Sequence, residues 1–220
     1  MYIKNQALTE TNIQTRVKAF LKETPLYRPL KKIRDYLSVF IWYINGKPAT
    51  PPHLIKQMAL REIAKRFKIK ILVETGTYYG DMIDAMKKHF DIIYSIELSQ
   101  ELHDLAQKRF DGDQKIHLIQ GDSGKELGKI MDSLSQPALF WLDGHYSGGE
   151  TAKGELETPI YQELSHILNA KEQKHIILID DARCFGTNPS YPTLEDITAF
   201  VKKHKNAEIA VKNDIIRIFL

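Results

Sequence analysis

The segment VETGTYYGD (Val73–Asp81) ends an apolar run, IKILVE (Ile69–Glu74), with a turn that carries two glycines. Continuous apolar runs of this kind are typical of strands that are covered on both faces. Glycine allows the backbone to turn tightly and to approach a bound molecule closely. The segment therefore predicts a buried strand, a glycine turn and then a helix, which is how a doubly wound α/β sheet begins.

Four more apolar runs follow, and helical patterns separate them. They are IIYSIE (Ile92–Glu97), IHLIQ (Ile116–Gln120), ALFWLD (Ala138–Asp143) and HIILID (His175–Asp180). The chain closes with AEIAVKNDIIRIFL (Ala207–Leu220), in which two strand patterns flank a hairpin signal at Asn213-Asp214. This order predicts an α/β fold with a doubly wound, mostly parallel seven-stranded sheet and a C-terminal antiparallel hairpin.

Capping signals predict where several helices begin. Ser123 and Glu126 have the spacing of a capping box. Thr158 and Pro159 are typical of an N-cap and a first helical residue, and Thr193 is expected to open the last helix.

The turn-rich segment NGKPATPP (Asn45–Pro52) is the predicted domain boundary. It would divide a helical arm, residues 1–52, from one domain of residues 53–220. Within the arm, basic residues precede YLSVFIWYI (Tyr36–Ile44), which is too short to span a bilayer. We expect the arm to cover the substrate site or to contact a second subunit in a homodimer. Peripheral membrane contact remains the less favoured alternative.

Composition limits the classes of function. The net charge of +3, from 31 basic and 28 acidic residues, is too balanced to indicate a nucleic-acid partner. A lone Cys184 allows no intrachain disulfide and fits a reducing compartment. The polar N-terminal residues are unlike a signal peptide, and no apolar run reaches the length of a membrane span. These features predict a cytoplasmic protein.

Acidic residues end or directly follow the first three predicted strands. Glu74 stands where a dinucleotide fingerprint has glycine, and it would repel a pyrophosphate but suit a ligand with ammonium and sulfonium groups. Glu97 could bond a ribose diol, or it could be a carboxylate that the next helix dipole favours. Asp122 could face an adenine ring, or it could cap the following helix together with Ser123.

Three aspartates and a histidine follow the next two strands. Asp143 and His145 lie in FWLDGHYSGGE, and Asp180 and Asp181 lie in ILIDDARCF. Carboxylates from adjacent strand ends can converge on a hard divalent cation such as Mg²⁺ or Mn²⁺. The alternative is that these aspartates only form turns. Three crowded carboxylates would be costly without a cation, and this favours the metal hypothesis.

The motifs ETGTYYGD, SIELS, GDS, LDGHYS and IDDAR, in this order, resemble the S-adenosylmethionine (SAM)-dependent O-methyltransferases of the catechol and macrocin type. The resemblance covers roughly residues 54–220. It implies the Rossmann-like methyltransferase fold, with SAM as cofactor and methylation of a hydroxyl on a small molecule or a glycan. The implied cofactor-binding residues are Glu74, Gly76, Thr77, Gly80, Glu97, Asp122 and Ser123.

The resemblance also implies the reacting residues. Asp143, Asp180 and Asp181 match the metal-binding positions of these families. The catechol branch has a lysine where this chain has Tyr146, and the macrocin branch has an acid where this chain has His145. We expect His145 to be the general base beside Asp143, with Tyr146 or a metal-bound water as the alternatives. A nucleotide-binding protein such as an NAD-dependent oxidoreductase, or a catalytically silent SAM-binding module, remains a rival hypothesis.

Overall fold

A computed structural model of the chain describes residues 27–144, 159–170 and 174–220. The described residues fall into two compact units. The smaller reaches Pro48 and includes Pro52–Leu54, and the larger is formed by Ala49–Pro51 and Ile55–Leu220. The predicted division between residues 52 and 53 stays a prediction.

One helix, α1 (Tyr27–Ile44), dominates the described part of the smaller unit. Trp42 is buried, and its indole N–H donates to the carbonyl of Pro48 at 2.8 Å. Most of its other large apolar side chains are exposed: Leu30, Ile33, Tyr36, Leu37, Phe40, Ile41, Tyr43 and Ile44. Among the described residues, no helix is long and apolar enough to cross a membrane.

The larger unit contains a single sheet of seven strands within the described ranges. The strands are β1 (Ile71–Thr75), β2 (Ile92–Glu97), β3 (Ile116–Gln120), β4 (Ala138–Leu142), β5 (Ile176–Ile179), β6 (Glu208–Lys212) and β7 (Ile215–Phe219). Their order is β3-β2-β1-β4-β5-β7-β6, with β1 to β5 parallel and β7 antiparallel to both of its neighbours. This topology confirms the predicted fold class.

The C-terminal hairpin has the predicted turn. Lys212 pairs with Ile215, so Asn213 and Asp214 are the two loop residues. Both have positive φ, at 55° and 61°. This backbone conformation matches the right-handed twist of the flanking strands, and asparagine and aspartate adopt it more readily than most residues.

Helices cover both faces of the sheet. They are α2 (His53–Phe67), α3 (Asp81–Met86), α4 (Gln100–Arg109), α5 (Ser123–Ser133), α6 (Ile160–Leu168) and α7 (Leu194–His204). Adjacent strand residues point to opposite faces. Phe140 therefore packs with side chains of α5, α6 and α7, whereas Trp141 packs with those of α2, α3 and α4. The burial of β1, β4 and β5 on both faces explains their continuous apolar sequences.

The observed caps agree with the predictions only in part. Thr193 opens α7 with a full capping box to Asp196, as expected. The capping box predicted at Ser123 is wrong, because Asp122 is the N-cap of α5 and its carboxylate accepts from the Gly124 N–H at 2.9 Å. Glu126 instead pairs with Lys129 at 2.7 Å. Pro159 precedes α6, while Thr158 lies outside the described residues.

The strand order reverses between β1 and β4, which are neighbours although two strands separate them in the chain. In sheets of this kind, ligands bind beyond the carboxyl ends of the strands at the reversal. The turn after Thr75 and the turn after Leu142 meet at this place, where the Asp143 N–H donates to the Thr75 carbonyl at 3.1 Å.

Candidate functional site

The turn after β1 requires glycine at two positions. Gly76 has φ +84°, and a Cβ there would lie 2.5 Å from the carbonyl oxygen of Asp143. Gly80 has φ +74°, and a Cβ there would lie 2.5 Å from the ring of Phe110. Both glycines are thus explained by the close approach of neighbouring chain segments. Contact with a cofactor is an additional role that stays a prediction.

Glu74 is buried at the end of β1, with 1% of its surface exposed. The Ser95 hydroxyl donates to its Oε2 at 2.6 Å, and Thr77 Oγ1 lies 2.6 Å from the same hydroxyl. Burial raises the pKa of Glu74 to about 8, and the charge of Glu97 adds to the rise, whereas the Ser95 hydrogen bond opposes it. Near neutral pH the carboxyl is therefore mainly protonated, and a cationic ligand would favour its ionised form.

Glu97 is buried at the end of β2, and the backbone engages both of its carboxylate oxygens. Oε2 accepts the Tyr78 N–H at 2.8 Å, and Oε1 accepts the Ser99 N–H at 2.9 Å. Glu97 thus joins the glycine turn to the start of α4. Each carboxylate oxygen accepts more than one hydrogen bond, so this arrangement leaves capacity for a ribose hydroxyl.

Asp122 follows β3 and caps α5, as the structural alternative for this residue required. Ser123 is the first helical residue and is buried. Each lies beyond the carboxyl end of a strand, the edge at which the cofactor is expected. The predicted contacts of Asp122 and Ser123 with that cofactor stay predictions.

The three aspartates at the ends of β4 and β5 lie close enough to influence one another. Loss of hydration raises the pKa of Asp143 well above its ordinary value, and the charge of Asp180 raises it further. Burial likewise raises the pKa of Asp180, which is 1% exposed. The cluster formed by Asp143, Asp180 and Asp181, here called the aspartate cluster, therefore carries costly negative charge.

A lysine from α2 lies at this cluster. The Lys56 ammonium donates to Oδ2 of Asp180 and lies 3.4 Å from Oδ1 of Asp181. Only 14% of the lysine side chain is exposed. Burial by itself would lower the pKa of Lys56, but the charges of Asp180, Asp181 and Asp143 and the Asp180 hydrogen bond together raise it. Lys56 is therefore held as a cation.

These contacts do not fit the predicted metal site. Asp180 already accepts the Asp181 N–H at 2.8 Å on its other oxygen, and Asp181 accepts Arg183 Nη1 at 2.8 Å. A divalent ion requires several oxygen ligands at close range. No group of three or more side chains suited to a metal is found among the described residues. The metal hypothesis therefore lacks structural support. His145 and Tyr146 lie outside the described residues.

Sequence reasoning missed several polar residues near this edge of the sheet. Lys56 precedes Asp180 by 124 residues, and no motif connects the two. Ser95, the partner of Glu74, is a polar residue within an apolar strand, and this position could have indicated a polar side chain on a buried face. Glu163 of α6 is 2% exposed, and its carboxylate lies 3.3 Å from the position of a Cβ on Gly144. Its helix is otherwise amphipathic, so nothing marked this acid as inward-facing.

The chain matches no protein-family model and no curated protein. Among solved structures, the SAH-bound methyltransferase PaMTH1 of Podospora anserina is similar, with a TM-score of 0.55 at 16% identity and 94% of each chain covered. The O-methyltransferase from Bacillus cereus in complex with SAH has a TM-score of 0.55 at 13% identity, covering 82% of this chain and 88% of that chain. The chain has the Rossmann-like fold of methyltransferases. Identities this low show the fold alone.

Proposed function

We propose that the chain is a SAM-dependent methyltransferase that methylates a hydroxyl group of a small molecule or a glycan. The observation that carries the proposal is the buried carboxyl of Glu74 beside the glycine turn, at the reversal of strand order. A carboxyl there disfavours a pyrophosphate and favours the ammonium and sulfonium groups of SAM. The two SAH-bound methyltransferases of similar fold support the same cofactor.

SAM would lie across the carboxyl ends of β1, β2 and β3. Gly76, Thr77 and Gly80 would line the turn beside the amino acid part of SAM, and Glu97 would bond the ribose. Asp122 and Ser123 would lie beside the adenine. Each assignment follows from the position of the residue after its strand and from the family resemblance.

The reaction is a displacement in line with the breaking bond. The acceptor oxygen forms a bond to the methyl carbon, the carbon–sulfur bond breaks, and its electron pair stays on sulfur as a neutral thioether. The hydroxyl proton passes to a base, for which we propose His145 on the basis of sequence. Because the attacking oxygen and the sulfonium lose charge as they react, a site that excludes water favours the step. Most of the catalytic effect is therefore positioning.

Two rival functions remain distinguishable. An NAD-dependent oxidoreductase would need a third glycine in the turn and would disfavour a buried acid at position 74. This chain lacks the third glycine and has the buried acid, Glu74. A silent SAM-binding module would bind SAM without turnover. Calorimetric titration with SAM and with NAD⁺ separates the first rival. Transfer of a labelled methyl group to a panel of hydroxyl acceptors separates the second.

The remaining assignments are proposals of the same kind. The exposed apolar residues of α1 suit a contact with another molecule, either a second subunit or the methyl acceptor. We leave the divalent cation out of this proposal, because Lys56 and Arg183 already engage the carboxylates that would hold it.

A further inference from the structure

The position of a buried lysine inside the aspartate cluster calls for an explanation. Lys56 is in the first turns of α2, and its ammonium reaches carboxylates that follow the fifth strand of the sheet. Only 14% of the Lys56 side chain is exposed, and a charged group withdrawn from water in this way loses favourable hydration. A lysine usually stays in solvent unless a partner compensates for this loss. The aspartate cluster is that partner.

The contacts account for the charges of the cluster one by one. Asp180 accepts from Lys56 on Oδ2 and from the Asp181 N–H on Oδ1. Asp181 faces both Lys56 and Arg183, and Arg183 also binds Asp214. Asp143 interacts electrostatically with the same lysine. The cations that neutralise these carboxylates therefore come from the chain itself.

A metal ion and the Lys56 ammonium would compete for the same oxygens. Mg²⁺ needs near-octahedral oxygen ligands at about 2.0–2.1 Å and holds them rigidly. The ammonium already takes Oδ2 of Asp180, and a second positive charge a few ångströms away would be repelled. Binding of a metal would thus require that Lys56 first leave the cluster.

We propose that the Lys56 ammonium is the resident cation of the aspartate cluster and that this site excludes divalent metals. Lys56 then has the electrostatic role that a metal would have beside the methyl acceptor. Metal exclusion by Lys56 is independent of the proposed function, whereas the role beside the methyl acceptor rests on it.

The test is Mn²⁺ binding, measured by electron paramagnetic resonance and by calorimetry on the full chain. Lys56→Met keeps most of the length of the side chain and removes its charge. We expect Lys56→Met to bind Mn²⁺ with an affinity at least about tenfold higher than that of the wild type, since a nearby positive charge is gone. Asp180→Asn in the Lys56→Met background should remove this binding again, because a carboxylate ligand is lost.

A matched control is Lys129→Met. Lys129 also pairs with a carboxylate, Glu126, at 2.7 Å, but its side chain is 74% exposed. Its loss should create no Mn²⁺ site. Lys56→Arg, which keeps the charge, should also exclude Mn²⁺.

Two results would overturn the inference. One is Mn²⁺ binding to the wild type at the affinity of Lys56→Met, and the other is the absence of binding in both proteins. If Lys56→Met does not fold by itself, it is refolded in the presence of Mn²⁺. Recovery of the native state supports a cation site at the aspartate cluster, and continued failure to fold contradicts it. If the wild type does not bind SAM, the proposed function is refuted, but the comparison of Mn²⁺ binding between the wild type and Lys56→Met is unaffected.

Discussion

The sharpest consequence of the proposed SAM site is a proton linkage at Glu74. Its pKa is about 8 in the folded chain without ligand, against an ordinary value of 4.5. At pH 7 about nine-tenths of the molecules therefore carry a proton on this carboxyl, as follows from a pKa one unit above the pH. The ammonium and sulfonium of SAM should favour the ionised form, so binding should release that proton.

The size of the effect follows from the same pKa. Below pH 8, the ionised fraction of Glu74 rises about tenfold for each pH unit, and each unit corresponds to about 1.4 kcal/mol. The affinity of the wild type for SAM should therefore rise relative to that of Glu74→Gln by close to this factor between pH 6 and pH 7. The amino group of SAM resembles an α-amino group, with a pKa of about 7.7–8.0, and stays mostly cationic over this range.

The assay is calorimetric titration with SAM at pH 7 in two buffers of different ionisation enthalpy. For the wild type, the difference in apparent enthalpy should correspond to release of about 0.9 proton, calculated from the pKa of about 8. Glu74→Gln should release almost none. Glu101→Gln, which removes an exposed carboxyl in the first turn of α4, should behave as the wild type.

The stability of the protein without ligand provides an independent check, with the sign fixed by linkage. Since folding raises the pKa of Glu74, the native state holds this proton more tightly than the unfolded state does. Its contribution is fully present below about pH 4.5 and is lost as the pH rises toward 8. Between pH 5 and pH 7, the wild type should lose about 1.4 kcal/mol per pH unit relative to Glu74→Gln in urea unfolding. Parallel pH profiles, or SAM binding without proton release, would refute the reasoning.

Three further predictions concern other parts of the proposed site. Glu97→Ala should weaken SAM binding by about 1–3 kcal/mol through loss of hydrogen bonds to the ribose, whereas Glu97→Gln, which keeps an acceptor for a backbone N–H, should fold equally well. Unchanged affinity in both variants would remove Glu97 from the site. His145→Gln should lower kcat by about 10²–10⁴-fold with SAM binding preserved, the usual range for a lost general base, and Tyr146→Phe tests the alternative base. Near-normal kcat would assign the proton to another group. Leu37→Gln with Phe40→Gln should leave thermal stability nearly unchanged, since both side chains are more than half exposed, and should weaken self-association or acceptor use. An unchanged oligomeric state, measured by ultracentrifugation, together with unchanged turnover would contradict a contact role for α1.

The fold was predictable because its signals are local. The strands β1, β4 and β5 are buried on both faces and are therefore unbroken apolar runs in the sequence, and the hairpin requires two loop residues that tolerate positive φ. The start of α5 was less predictable, because Asp122 and Ser123 are both strong N-cap residues. Asp122 is the observed N-cap, and its carboxylate accepts a hydrogen bond from the Gly124 N–H. Asp122 has the extended backbone of an N-cap residue, with φ −76° and ψ 120°, and residue types alone do not decide which of two adjacent cap residues adopts it.

In the candidate site, too, some residues were predictable from local sequence and others were not. Glu74, Glu97, Asp143 and Asp180 were predictable, because each lies at or directly after the carboxyl end of a strand and parallel strands end at one edge of the sheet. The sequence favoured the hypothesis that three aspartates meet and need positive charge nearby. It did not show the source of that charge, since Lys56 is one of many lysines and lies on a helix that precedes the sheet. Electrostatics fixes the sign of the missing partner, whereas only the packing of α2 decides whether it is a metal ion or a side chain. For this reason the identity of the cation, and not the presence of the aspartate cluster, was the part of the site that required a structure.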